Sequence, residues 1–213
     1  MIDWLEDIKS QFWKDGRLED VKQLAKELDY KFIRREQFSD QPYGIKGFRI
    51  FKGKKPKRLK GILWNKDFQK GIRLRIYDYV YYNDDRIKTT TVFELEKPDF
   101  QFSKFLIRPK RGSGYFFRQL FADNSPKAFD YHPAFERTHF AQTQDIYELE
   151  AQLNDAFIDL LIQQENLRVE GERNYLVFYR KHQKLNPPEI KKDLQHIMEM
   201  VDALMYKEDD EYV

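Results

Sequence analysis

The sequence predicts an α+β domain in which an antiparallel sheet of hairpins packs against amphipathic helices. Two local patterns point to it. Apolar residues alternate on either side of a short polar turn over 72–96, and they recur at helical spacing near both ends of the chain and over 145–163. A third observation separates a folded domain from a disordered chain: charged residues make up 35% of the 213 residues, but 18 Phe, 13 Tyr and 3 Trp demand a buried core. That length suits one domain, 1–213, able to bury its core without disulfides or a structural metal.

The first stripe is Ile2, Leu5, Ile8 and Phe12, and the second, after Asp15-Gly16, is Val21, Leu24, Ala25 and Leu28. Together they predict a helical hairpin over 1–29. A sheet is expected over 30–181, where strand segments alternate with Gly, Pro and charge clusters. Ile72, Leu74, Ile76 and Val80 share one strand face, and Ile87, Phe93 and Leu95 share a face of the next, with Asn83-Asp84-Asp85-Arg86 as the turn. The two apolar faces coincide only when paired positions sum to 169, which sets Ile76 opposite Phe93, Arg75 opposite Glu94, Arg73 opposite Glu96 and Asp78 opposite Thr91. Asp145 with Glu148 then reads as a capping box for a helix over 145–163, its stripe Ile146, Leu149, Leu153, Phe157, Leu160 and Leu161. A second hairpin runs from Leu167 and Val169 through a turn at Glu170-Gly171-Glu172 to Tyr175–Tyr179, a run apolar enough for a strand covered on both faces. Asn186-Pro187-Pro188-Glu189 supplies the cap, first-turn prolines and first-turn acid of a last helix, 187–206, followed by a frayed acidic tail, 207–213.

From 72 to 180 the order of features resembles an uncharacterised bacterial family of domains of unknown function whose members often follow transmembrane helices. Tyr77-Asp78-Tyr79, the segment Phe129-Asp130-Tyr131-His132-Pro133-Ala134-Phe135-Glu136, Leu160-Leu161 and the hairpin to Tyr179 carry the likeness. The resemblance implies a fold class and supplies no catalytic residues. This chain has short amphipathic stripes where those members have spanning helices.

Several chemistries are excluded by residue type. Without cysteine there is no disulfide, no thiolate nucleophile and no metal site built on Cys sulfur. No apolar segment approaches the roughly 20 residues that span a bilayer, and no leader is visible, so a cytoplasmic location is expected. His132 and His139 are seven apart with Pro133 between them, against three or four for two ligands on one helix face, so they read as surface histidines and no metal or cofactor is expected. Gly112-Ser113-Gly114 matches neither a nucleophile elbow nor a P-loop. Lys110, Arg111 and Ser113 nonetheless stand where a strand would pass into a helix, a place where free N–H groups can hold an anion. Asp78, a carboxylate on an apolar strand face, reads as structural, satisfied by Thr91.

Charge placement is the strongest nonrandom feature. Twelve basic residues and one acid between Gly44 and Arg75 give that segment +11, leaving −9 for the rest of a chain whose net charge is +2. Lys52, Lys54, Lys55, Lys57, Arg58 and Lys60 form its densest part and are expected in one exposed loop. The reading that follows is a noncatalytic interaction module meeting an anionic membrane surface or an acidic protein. Nonspecific nucleic-acid binding is the alternative: Arg73, Arg75, Tyr77, Tyr79 and Tyr81 alternate along one strand face as a stacking platform would, although Glu94 and Glu96 stand opposite the arginines. An enzyme with an unrecognised site is a further alternative. The stretch Asp145–Glu172, with eight acids and one arginine, could instead pair with the basic segment of a second copy.

Overall fold

A computed structural model of the chain describes residues 16–52, 54–83, 86–110 and 132–206, with side chains for all of these except 54–56 and 83. The fold is α+β. Eight strands form one sheet in the order β1-β2-β3-β4-β8-β7-β5-β6, antiparallel at every pairing. They are β1 Lys31–Gln37, β2 Lys54–Asn65, β3 Arg73–Asn83, β4 Arg86–Glu96, β5 Phe102–Pro109, β6 His139–Thr143, β7 Leu167–Arg173 and β8 Tyr175–Arg180. The helices are α1 Arg17–Glu27, α2 Tyr43–Lys46, α3 Pro133–Thr138, α4 Ile146–Gln152, α5 Asp155–Ile162 and α6 Pro187–Met205. No helix among the described residues is long and apolar enough to cross a membrane.

The β3–β4 register is the expected one at every position, from Arg73 opposite Glu96 to Asn83 opposite Arg86. A shift of one residue would have turned Leu74, Ile76, Phe93 and Leu95 away from the core, all of them fully buried. Asn186 and Glu189 form a reciprocal capping box at α6, Glu189 N–H donating to Asn186 Oδ1 at 3.0 Å and Asn186 N–H to Glu189 Oε2 at 2.7 Å. Asp145 caps α4 but lacks the returning bond, because Glu148 accepts from Gln152 instead.

Two local expectations change. The single helix expected over 145–163 is two, α4 and α5, broken at Leu153 where the backbone is extended. Asn154 starts the second by accepting from Phe157 N–H at 2.9 Å, and its amide donates to Ala203 O at 2.6 Å in α6. The second hairpin turns at Arg173-Asn174, since Glu172 pairs with Tyr175. Arg173 takes the left-handed φ of 56° that a tight hairpin turn requires. Gly171 therefore lies inside β7, where its missing side chain admits the ring of Phe105 from β5. The first helix of the expected hairpin over 1–29, the turn residues Asp84 and Asp85, Arg111, Ser113 and the tail 207–213 lie outside the described residues.

Both faces of the sheet are covered. Helices α1 and α3 to α6 cover one, over Leu63, Leu74, Ile76, Phe93, Ile107, Val169, Leu176 and Phe178. The other is covered by the segment between β1 and β2, where α2 and the 3-10 turns Phe38–Asp40 and Arg49–Lys52 bring Ile45, Phe48, Ile50 and Phe51 onto Tyr77, Tyr79, Tyr81, Val92, Val177 and Tyr179. This overturns the stacking-platform expectation. Phe51 meets Tyr79 edge-on at 4.9 Å, Tyr79 stacks on Tyr81 at 4.8 Å, and none of Tyr77, Tyr79 and Tyr81 is more than 5% exposed. Large aromatic rings gain too much from burial to stay in water once a covering segment reaches them.

Candidate functional site

The second sheet face carries an unusual row of polar residues, placed by strand alternation. In β7, Leu167 and Val169 enter the helix-covered core, so Arg168 and Glu170 project to the other face. In β5, Ile107 does the same for Leu106 and Arg108. The β5–β7 register pairs Leu106 with Glu170 and Ile107 with Val169, and one step further brings Arg108 opposite Arg168. Like charges directly opposite on a sheet repel. Arg168 lies opposite Tyr179 on its other side, and Arg108 opposite Phe140 of β6, whose ring it covers at 5.8 Å.

Glu170 ties this row to the covering segment. It is 2% exposed and accepts from Arg49 N–H, from Ile50 N–H at 2.9 Å and from the Tyr179 hydroxyl at 2.6 Å. Burial pushes its pKa above the usual Glu value, against the pull of those three donors. The bonds hold the turn Arg49–Lys52 against β7, and Arg49 reaches on to β6, its guanidinium donating to Gln142 Oε1. A cavity of about 310 Å³ is left between the turn and the sheet. Arg49, Lys52, Arg108, Arg168, Lys181 and His182 line it with Tyr81 and Tyr179, and among the described residues no carboxylate lines it. His182 holds a left-handed backbone (φ 64°), its N–H on Thr90 Oγ1 at 3.0 Å and its Nδ1 3.0 Å from the Tyr81 hydroxyl.

A second cavity, about 420 Å³, opens on the same face but has both signs of charge. Its arginines are met by its own acids, Arg73 by Glu96 at 3.3 Å and Arg75 by Glu36 and by Glu94 at 3.5 Å. Glu94 is buried, which raises its pKa, and accepts from the Tyr77 hydroxyl at 2.7 Å. This cluster is internally matched, whereas the first cavity is lined by one sign.

Of the nine residues expected to bind an anion, Lys52 lines the basic cavity. The exposed-loop expectation for the rest of the segment fails, because 54–65 is strand β2 and alternation splits its side chains between faces. Lys57 turns back to Phe51 O and sits 5.3 Å over the Phe38 ring, while Arg58 and Lys60 pair with Val80 and Asp78 on the helix-covered side. The side chains of Lys54 and Lys55 lie outside the described residues, as do Arg111 and Ser113. Lys110 lies over the Phe140 ring at 4.6 Å and donates to Glu136 O. Arg108, Lys181 and His182 went unnamed although they lie in the short basic runs Arg108-Pro109-Lys110-Arg111 and Arg180-Lys181-His182-Gln183-Lys184, and Arg168 lies within the acidic stretch. In that stretch Glu170 is buried and Glu172 pairs with Lys104, which takes two carboxylates from the surface expected to meet a second copy.

The histidines also differ from expectation. No cluster of three or more metal-ligating side chains exists among the described residues. His139 is not on the surface: it is 3% exposed, stacks on Phe135 with centroids 5.6 Å apart, and its Nε2 has no hydrogen-bond partner among the described residues. Burial pushes its pKa down from 6.5 to about 4. The folded protein thus keeps the ring neutral where the unfolded chain takes up a proton, so this contribution to stability is complete above pH 6.5 and is lost as pH falls towards 4. His139→Phe keeps the stacking and removes the titration. Between pH 7 and 4.5 it should lose about 2 to 3 kcal/mol less stability than the parent, read from urea midpoints; equal acid losses in both proteins would refute the burial of a neutral ring.

No protein-family model matches the chain, and no curated protein does. Among solved structures it is similar to the crystal structure of the mycobacterial trehalose monomycolate transport factor A, TtfA, at 11% identity over 90% of this chain and 96% of that one, with a TM-score of 0.60. At that identity the likeness is one of fold.

Proposed function

We propose that the chain is a noncatalytic interaction module that meets an anionic partner, most concretely an anionic lipid surface, through the basic cavity beneath Arg49–Lys52. The observation that carries this reading is a cavity lined by five Arg or Lys side chains and a histidine, with no carboxylate lining it among the described residues. The fold likeness to a protein named as a trehalose monomycolate transport factor supports a lipid-related role. Near an anionic surface each basic side chain contributes about 1 kcal/mol, falling off within a Debye length of about 10 Å at 0.1 M salt. Lys52 and Lys181 at the cavity, with Arg49, suffice for weak, reversible binding. Burial of Tyr77, Tyr79 and Tyr81 removes the bases' stacking partners and disfavours single-stranded nucleic acid.

Sedimentation with vesicles of phosphatidylcholine alone and with phosphatidylglycerol added, beside titration of a single-stranded oligonucleotide over a salt series, tests this. The protein should pellet with the anionic vesicles alone, less so as salt rises, and Lys52→Ser with Lys181→Ser should weaken the apparent affinity about thirtyfold, the effect of losing two contacts of about 1 kcal/mol each. Failure to pellet at low salt would overturn the reading, and tighter binding to the oligonucleotide would replace it with the nucleic-acid alternative.

A further inference from the structure

We propose that the basic cavity is a phosphomonoester site with Arg168 as its anchor, a reading that rests on the anionic partner proposed above. The anchor is chosen between two unmade bonds. Arg108 and Arg168 both line the cavity and the buried Nε of each meets no acceptor among the described residues, but the Arg108 guanidinium already lies over the Phe140 ring at 5.8 Å, which selects Arg168. A buried donor of a charged group without an acceptor is costly, and a ligand oxygen would remove the cost. Strand register adds a second reason. It sets Arg168 opposite Arg108, both lining the cavity, where a doubly charged oxyanion would turn repulsion into joint coordination.

The charge count selects the ester class. Five Arg or Lys side chains around one small cavity favour the group that brings the most negative charge on the fewest atoms. A phosphomonoester carries about −1.5 to −2 near pH 7 and three terminal oxygens, against a single charge and two terminal oxygens for a diester. Planar guanidinium forks match those oxygens in a way an ammonium does not. Volume limits what enters. About 310 Å³ is at the small end of ligand pockets, which run from roughly 300 to 1,000 Å³, so it accepts the phosphate and the atoms next to it and leaves acyl chains outside. Glu170 acts as a positioning residue, holding the Arg49–Ile50 backbone so that Arg49 and Lys52 close over the site.

Calorimetric titration of the full chain with monomeric dihexanoyl phosphatidic acid, dihexanoyl phosphatidylglycerol and glycerol 3-phosphate tests the assignment. The parent should bind the phosphatidic acid at least about tenfold more tightly than the phosphatidylglycerol, the ratio expected from one added charge-assisted contact. Arg168→Lys, which keeps the charge but loses the Nε donor, should erase most of that ratio. Glycerol 3-phosphate binding as tightly as phosphatidic acid would support a soluble phosphomonoester as the source, and weaker binding would support the lipid. Equal affinity of the parent for the monoester and diester lipids, with anionic vesicles still bound, would overturn the phosphomonoester site and leave the anionic partner standing. No binding of any anion would overturn both. The parent's ratio decides the matter even if Arg168→Lys does not fold.

Discussion

Replacing Asp78 with Asn is expected to destabilise the protein by about 3 to 5 kcal/mol, the cost of leaving one member of a buried ion pair alone. Arg17 at the start of α1 grips the carboxylate with both arms of its guanidinium, Nε to Oδ2 at 3.1 Å and Nη2 to Oδ1 at 3.2 Å. The two side chains are only 9% and 8% exposed. Thr91 on β4 donates its hydroxyl to the same Oδ1 at 2.7 Å, and its oxygen accepts from Leu185 N–H at 2.9 Å, just ahead of α6. One carboxylate thus joins α1, β3, β4 and the approach to α6. Asparagine would satisfy Thr91 or one arm of Arg17, but its amide would face a donor and the guanidinium would keep a buried charge without a counterion. Urea unfolding of the variant measures the loss. Arg17→Met with Asp78→Leu should be less damaging than Asp78→Asn alone, since it removes both charges. A single Asn variant within 1 kcal/mol of the parent, a change near the error of extrapolation, would mean that Arg17 does not hold Asp78.

Gly171→Ala should cost about 3 kcal/mol, the upper part of the range for overpacking a core. A Cβ built at this position would lie 2.2 Å from Cε1 and 2.6 Å from Cζ of Phe105. Phe105 is 2% exposed and belongs to the main core beneath α3 to α6, so its ring cannot swing into solvent. The penalty is one of space and not of backbone conformation, which makes it reversible in a defined way: Phe105→Leu should recover part of the loss in the double variant although it destabilises the parent. Additive losses in the two changes would show that ring and glycine do not share that space. The function test and the stability test are independent here, because the ring lies on the helix-covered face and the basic cavity on the other.

Asp78 shows where reading along the chain succeeds and stops. Its place on the apolar face and Thr91 as its partner follow from strand alternation and the register of one hairpin, both local. Arg17 does not, because it is 61 residues away and belongs to no pattern that includes β3. The sequence alone would have made Asp78→Asn nearly harmless, and one distant guanidinium reverses that. Gly171 misled in the opposite direction. A glycine between two glutamates looks like a turn until the strand beside it is known, and that strand, β5, comes from more than sixty residues earlier in the chain.

The same division holds for the candidate site. A twelve-to-one excess of basic residues over 44–75 was visible at once, yet it counts charge without direction. Strand pairing sent Lys57 one way and Arg58 and Lys60 the other, and among the described basic side chains of that segment Arg49 and Lys52 line the cavity. Their companions Arg108, Arg168 and the adjacent pair Lys181 and His182 come from three separate segments and meet because β5, β7 and β8 are neighbours. By itself the sequence determined the α+β class, the β3–β4 register and the cap of α6, since periods of two and 3.6 residues and capping bonds act within a few residues of chain. Only the tertiary structure decided which strands adjoin, which tyrosines are covered and which arginines face each other. Those outcomes depend on burying both sheet faces at once, a condition that no segment can meet alone.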